Sequence, residues 1–149
     1  MKKRTLIVLI MFLIIVGIII MSVLNDDYLV KESDIVIADN VTMEIVSGTL
    51  TKTSATIIIT DLSGSDYTYS KQYTIEKYED EKWWVIKPLI GNEITTLEGY
   101  SVDENNTLTM DLNWERKYGE LKEGRYRIVV KVSDNWPNGK YTTAEFTID

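Results

Sequence analysis

The 149-residue chain contains no cysteine, no histidine and only two prolines. Without Cys there is no disulfide, no thiol nucleophile and no lipid-modified N-terminal Cys. Without His the Ser-His-Asp triad is excluded, and with Cys also absent so is a zinc-type metal site. Only carboxylate, Ser-Lys or Tyr chemistry stays open, and no carboxylate pair is placed in a pocket that the sequence defines. The chain is also poor in positive charge, with 16 Lys and Arg against 23 Asp and Glu and a net charge of −7. Three of the cations, Lys2, Lys3 and Arg4, sit at the extreme N-terminus. The remainder therefore carries thirteen basic against twenty-three acidic residues, or −10. That balance argues against nucleic acid and against broad adhesion to anionic headgroups. It suits a soluble domain, basic partners or cations.

What the chain does have is one long apolar run. Thr5 to Leu24 reads TLIVLIMFLIIVGIIIMSVL, interrupted only by Thr5, Gly17 and Ser22. As a helix it would be roughly 30 Å long, the thickness of a bilayer's hydrocarbon core. Its Leu, Ile, Val and Phe residues together favour insertion by about 5 to 9 kcal/mol. In lipid a helix is the single segment that satisfies its own backbone hydrogen bonds. Basic residues precede the run and Asp26 and Asp27 follow it. The positive-inside rule then puts the N-terminus in the cytoplasm and the rest outside. A cleaved signal peptide would have a shorter apolar core and a small-residue cleavage site. Met21-Ser22-Val23-Leu24-Asn25 does not provide one. The expectation is an uncleaved signal anchor in a single-pass protein of the cell membrane, with an extracellular C-terminal domain.

The chain divides into a cytoplasmic basic tail (1–4), a transmembrane signal anchor (5–24), a linker (25–40) and one β domain (41–149). The linker is mixed and acidic, and as a flexible coil would span roughly 20 to 25 Å. From Val41 the hydrophobic period becomes two, the signature of half-buried strands. Strands are predicted over 41–46, 54–60, 67–78, 82–87, 107–113, 125–133 and 140–148. Seven short strands joined mostly by hairpin-sized links predict an all-β sandwich or barrel.

Leu121 to Ile128, LKEGRYRI, is the most informative stretch. Glu123-Gly124 turns the chain into a strand whose first inward residue is Tyr126. This resembles the tyrosine corner of immunoglobulin-like domains, in which the Tyr hydroxyl bonds back to the backbone just upstream. Ile128 stands where such domains often carry a disulfide Cys. Further matching residues are Gly48-Thr49-Leu50, Ser54-Ala55-Thr56-Ile57-Ile58-Ile59 and Tyr73-Thr74-Ile75-Glu76-Lys77-Tyr78 before Trp83. With these, Val41 to Val132 resembles a bacterial Ig-like domain of Firmicutes membrane proteins and lipoproteins. The resemblance implies an antiparallel Ig-like β-sandwich of about seven strands and a non-catalytic accessory role. It brings no cofactor, no metal and no catalytic residue. The hairpin from Ser133 onward departs from the pattern.

In an Ig-like sandwich the N-terminus lies at the end bearing the loops after the second and sixth strands. Those loops, 61–66 and 133–139, should therefore face the membrane. The 79–81 turn and the 115–123 loop should face outward.

Four residues are singled out as a candidate interface: Tyr78, Trp84, Ile86 and Trp136. A three-residue turn over Glu79 to Glu81 would pair Lys77 with Trp83 and Ile75 with Val85. Trp83 would then join Tyr73, Ile75 and Val85 in the core. Trp84 would point outward with Tyr78 and Ile86, as an aromatic–aliphatic patch for a protein or a sugar. The plain alternative is an outer face covered by the 87–106 connection. Trp136, in Asn135-Trp136-Pro137-Asn138-Gly139, could touch headgroups or a neighbouring membrane protein, or simply fold over its own hairpin. Trp114 is expected in the core. The acidic turns 61–66 and 103–106 have oxygen-rich side chains but not the spacing of an EF-hand, and such turns are usually solvated.

These features point to a membrane-anchored module that binds another surface or membrane protein. A wall- or glycan-contacting module is the alternative, and an extracellular protease inhibitor ranks behind both.

Overall fold

The computed structural model describes residues 29–90, 99–133 and 139–149, together with Met11 and Ile14. The expected anchor Thr5–Leu24 falls outside the described residues apart from those two positions. No helix among the described residues is long and apolar enough to cross a membrane.

Among the described residues nine strands and one short helix are present: β1 (Leu29–Glu32), β2 (Val41–Ile45), β3 (Ser54–Asp61), β4 (Thr68–Glu79), β5 (Lys82–Ile86), β6 (Gly99–Tyr100), β7 (Thr107–Asn113), α1 (Glu115–Tyr118), β8 (Gly124–Ser133) and β9 (Lys140–Ile148). They form two antiparallel sheets. The larger runs β1-β5-β4-β8-β9, with β6 pairing the start of β4, and the smaller runs β2-β3-β7. Each of the seven strands expected from the period-two pattern is there, within about a residue at either end, the usual uncertainty of such boundaries.

The alternation sets the core. In β3, Ala55, Ile57 and Ile59 are buried, and in β8 Tyr126, Ile128, Val130 and Val132 are buried. They meet between the sheets with Ile75, Leu112, Trp114, Leu121 and Phe146. Ile128, at the position of the usual disulfide Cys, is fully buried, and aromatic rings pack in the same core. Tyr126 stacks on Phe146 with ring centroids 5.6 Å apart, and Trp114 lies 6.0 Å from the same ring. Trp114 is fully buried, as expected, and its indole N–H donates to the Lys52 carbonyl at 2.9 Å. The tyrosine corner forms as well: the Tyr126 hydroxyl donates to the Lys122 carbonyl at 2.8 Å. Gly124 enters β8 at φ +152°, a conformation that side chains rarely adopt.

Two features depart from the sequence reading. Part of the expected linker is structured: β1 pairs with β5, Leu29 opposite Ile86 and Glu32 opposite Trp84. The chain then leaves that edge and reaches the opposite one. Ser33 N–H still donates to the Trp83 carbonyl, while Tyr141 on β9 exchanges hydrogen bonds with Val36 and Ala38. Residues 33–38 thus strap the outer face of the larger sheet. The short, mixed sequence of β1 gives no period-two signal, because an edge strand needs only one partner and buries little (three of its four residues are exposed).

The second departure is register. The β4–β5 turn has two residues, not three: Glu79 pairs with Lys82, Tyr78 with Trp83 and Lys77 with Trp84. Asp80 and Glu81 have φ of 51° and 63°, the pair of positive values that marks a type I′ turn. A one-residue change in loop length moves every side chain of the second strand to the other face.

Candidate interaction surface

The register decides which aromatics face outward. Tyr78, Trp83 and Val85 lie on the outer face of the larger sheet, where Tyr78 pairs with Trp83 and Val85 aligns through Glu76 with Arg127 on β8. Of the four singled-out residues, Tyr78 is placed on that face as expected. Ile86 is fully buried in the core, and Trp84 shares its interior face. The Trp84 indole donates to the Glu79 carbonyl at 3.2 Å. Trp83, assigned to the core by the three-residue turn, takes the outward place instead. Trp136 lies outside the described residues. The signal that would have found the correct face is the odd separation of five between Tyr78 and Trp83, which a two-residue hairpin pairs directly.

The outward residues form one connected group. Tyr78 and Trp83 meet edge to face at 5.0 Å, the geometry the ring quadrupoles favour. Arg125 covers both, 4.6 Å from the Tyr78 ring and 5.5 Å from Trp83, and Arg127 lies 4.5 Å over the other part of Trp83. Each such cation–π contact adds about 0.5–1 kcal/mol at an exposed site. Arg125 also pairs with Glu145 on β9, and that partner keeps its guanidinium pKa above the ordinary value.

Beneath this layer sits a buried ion pair. Glu76 is 2% exposed and accepts from Arg127 Nε at 2.6 Å. Its second oxygen accepts from the Ser33 hydroxyl at 2.6 Å, and Ser33 Oγ in turn lies 3.2 Å from Arg127 Nη2. The strap therefore closes a three-member network whose every partner is satisfied, the condition under which a buried charge is tolerated. On this face residues 33–38 provide cover, and the 87–106 connection, offered above as an alternative cover, lies partly outside the described residues.

At one end of the sandwich the β3–β4 loop is held by a second buried carboxylate. Asp61 accepts from Ser63 N–H and hydroxyl through one oxygen and from the Tyr69 hydroxyl at 2.6 Å through the other. Burial acts to raise its pKa, but the hydrogen bonds from Ser63 and Tyr69 outweigh that and hold it below 3.8. Burial, and then Asp61, push the Tyr69 phenol well above its ordinary value. In the 103–106 turn the Asp103 carboxylate is occupied by the backbone N–H groups of Asn105 and Thr107. Among the described residues no group of three or more Asp and Glu is arranged to hold a metal ion.

Among the described residues the two buried carboxylates, Asp61 and Glu76, are both committed to structural partners. The comparison with known families agrees with the fold. A family model described as "Bacterial Ig-like domain" matches residues 38–147. The chain belongs to that family. The matched span of the bacterial Ig-like domain starts at Ala38 and includes β9, so it takes in the C-terminal hairpin that had seemed to depart from the pattern. It leaves out β1 and most of the strap. Neither the curated proteins nor the solved structures give a match.

Proposed function

We propose that this bacterial Ig-like domain is the extracellular part of a membrane-anchored, non-catalytic module that contacts another protein of the same membrane or cell surface. The observation that supports a contact role is the outer face of the larger sheet. Tyr78, Trp83 and Arg125 are the residue types that dominate binding hot spots, and here they are already aligned and packed on one another. Preorganised side chains lose little entropy when a partner arrives. The anchoring part of the reading rests on the apolar run Thr5–Leu24 and its charge flanks.

The test is site-specific photocrosslinking in intact cells, with the probe at Tyr78 and a control probe at Asp111 on the opposite sheet. The expected result is one recurrent membrane protein at Tyr78, none at Asp111, and loss of the product when Trp83 is changed to Ala. High salt should weaken the contact, because the charge of −10 carried by the chain beyond Arg4 contributes to it. Recovery of wall glycan alone, insensitive to salt, would replace the protein-contact reading with the glycan one.

A further inference from the structure

The structure shortens the tether between the expected anchor and the sandwich. The linker read from sequence had sixteen residues, 25–40, but β1 begins at Leu29 and is paired along β5. Only residues 25–28 separate Leu24 from the sheet. The five peptide steps from Leu24 to Leu29 reach at most about 18 Å.

The direction of β1 fixes which end of the sandwich looks back along that tether. β1 is antiparallel to β5, and β5 to β4, so β1 runs the same way as β4. Its start faces the Thr68 end of β4, the end carrying the β3–β4 loop. Leu29 lies opposite Ile86, one step beyond the Glu76–Val85 pair and so level with Ile75. Ile75 pairs with Ile128 and Thr68 with Ser133, five residues further along β8, so with the bulge between Tyr69 and Tyr73 this end lies about 17 Å beyond Leu29 along the sheet. Even when the tether is fully extended along the sheet, the β3–β4 end therefore lies within about 1 Å of the level of Leu24. The polar layer on each side of a bilayer is about 5–7 Å deep.

We infer that the β3–β4 loop rests in the headgroup layer of the anchoring bilayer, with Leu62 as its apolar contact. This rests on the anchored reading proposed above. Leu62 is 69% exposed, yet its backbone is fixed. Its N–H donates to the Asn40 carbonyl, and the preceding Asp61 is clamped by Ser63 and Tyr69. The loop thus presents a large apolar side chain from a rigid support. Asp39, Asp66 and Asp103 lie in the turns at or beside the same end, so the contact is not drawn there by anionic lipid. The short tether and the Leu62 side chain impose it.

The chain has no Cys, so single-Cys variants can be labelled without background. Full-length Leu62→Cys and Glu81→Cys proteins, each carrying an environment-sensitive fluorophore, would be reconstituted into vesicles containing a nitroxide-headgroup lipid. Flotation after alkaline extraction comes first, and failure to stay with the vesicles would overturn the anchored reading together with this one. With the protein retained, the label at Leu62 should be quenched severalfold more than the label at Glu81, in the β4–β5 turn at the far end. A long Gly/Ser insertion between Asp27 and Tyr28 should remove that difference while the protein stays in the vesicles. Equal quenching at the two positions in a retained protein would overturn the headgroup contact and leave the anchor standing.

Discussion

Asp61 shows how much one buried carboxylate settles in a domain without disulfides. It ends β3, pins the loop that follows and supplies the partner of a fully buried phenol. Its pKa is held below 3.8 in the folded protein. A group shifted in that direction stabilises the fold above its unfolded pKa, and the contribution is lost as the pH falls through the folded value. Urea unfolding should therefore show wild-type stability falling below about pH 4 more steeply than in Asp61→Ala. At neutral pH, Asp61→Ala should cost about 1–3 kcal/mol, the penalty for leaving the Tyr69 hydroxyl buried without a partner. A variant that matched wild type at neutral pH would show that water replaces the carboxylate without loss. Tyr126 is the counterpart at the other end: its hydroxyl bond to Lys122 could be read from the Glu-Gly-x-Tyr spacing alone, because a corner is a local device. Asp61 could not be found that way. Its partners Ser63 and Tyr69 are near in sequence, but only the sandwich buries Asp61 and the Tyr69 ring.

Among the elements, the β4–β5 hairpin carries the largest consequence for function. Its two turn residues, Asp80 and Glu81, both sit in the left-handed region, which costs a side-chain-bearing residue about 1–2 kcal/mol. Asn-Gly or Asp-Gly would have announced a type I′ turn, but Asp-Glu does not. The strands were legible because burial imposes a period of two on each of them. The register was not, since it depends on a strained turn whose sequence carries no glycine. That one missing signal exchanged Trp83 for Trp84 and put Ile86, which is buried in the core, on the outer face. Glu81→Gly should relieve the strain and stabilise the domain by about 0.5–1 kcal/mol, after allowing for the greater freedom of glycine in the unfolded chain. Thermal unfolding would read this as a raised midpoint. An unchanged or lowered midpoint would mean that the φ of 63° at this position carries no penalty.

On the scale of the whole molecule, the stretch that precedes the matched family region completes the fold. Residues 38–147 make the two sheets of a bacterial Ig-like domain. Leu29 to Ile37 add a strand to one edge and a strap over the outer face. This stretch covers the backbone of β5, which would otherwise be an open edge strand of the kind that recruits other chains. Ser33 also completes the hydrogen bonding of Glu76 and Arg127, and bonds of that charged kind contribute about 1.5–3 kcal/mol. A domain begun at Ala38 should therefore fold, because its core residues are intact, but with stability lower by at least about 2 kcal/mol. It should also associate with itself through β5. Sedimentation velocity over a range of concentrations would reveal the association, and hydrogen exchange would show new protection at Lys82–Ile86 as it forms. A strictly monomeric truncated domain of unchanged stability would mean that β1 and the strap only carry the tether. The predicted result would mean instead that the same short stretch guards the sheet edge and holds the aromatic face in place. A pull or a partner that lifted it would then alter the surface proposed to bind.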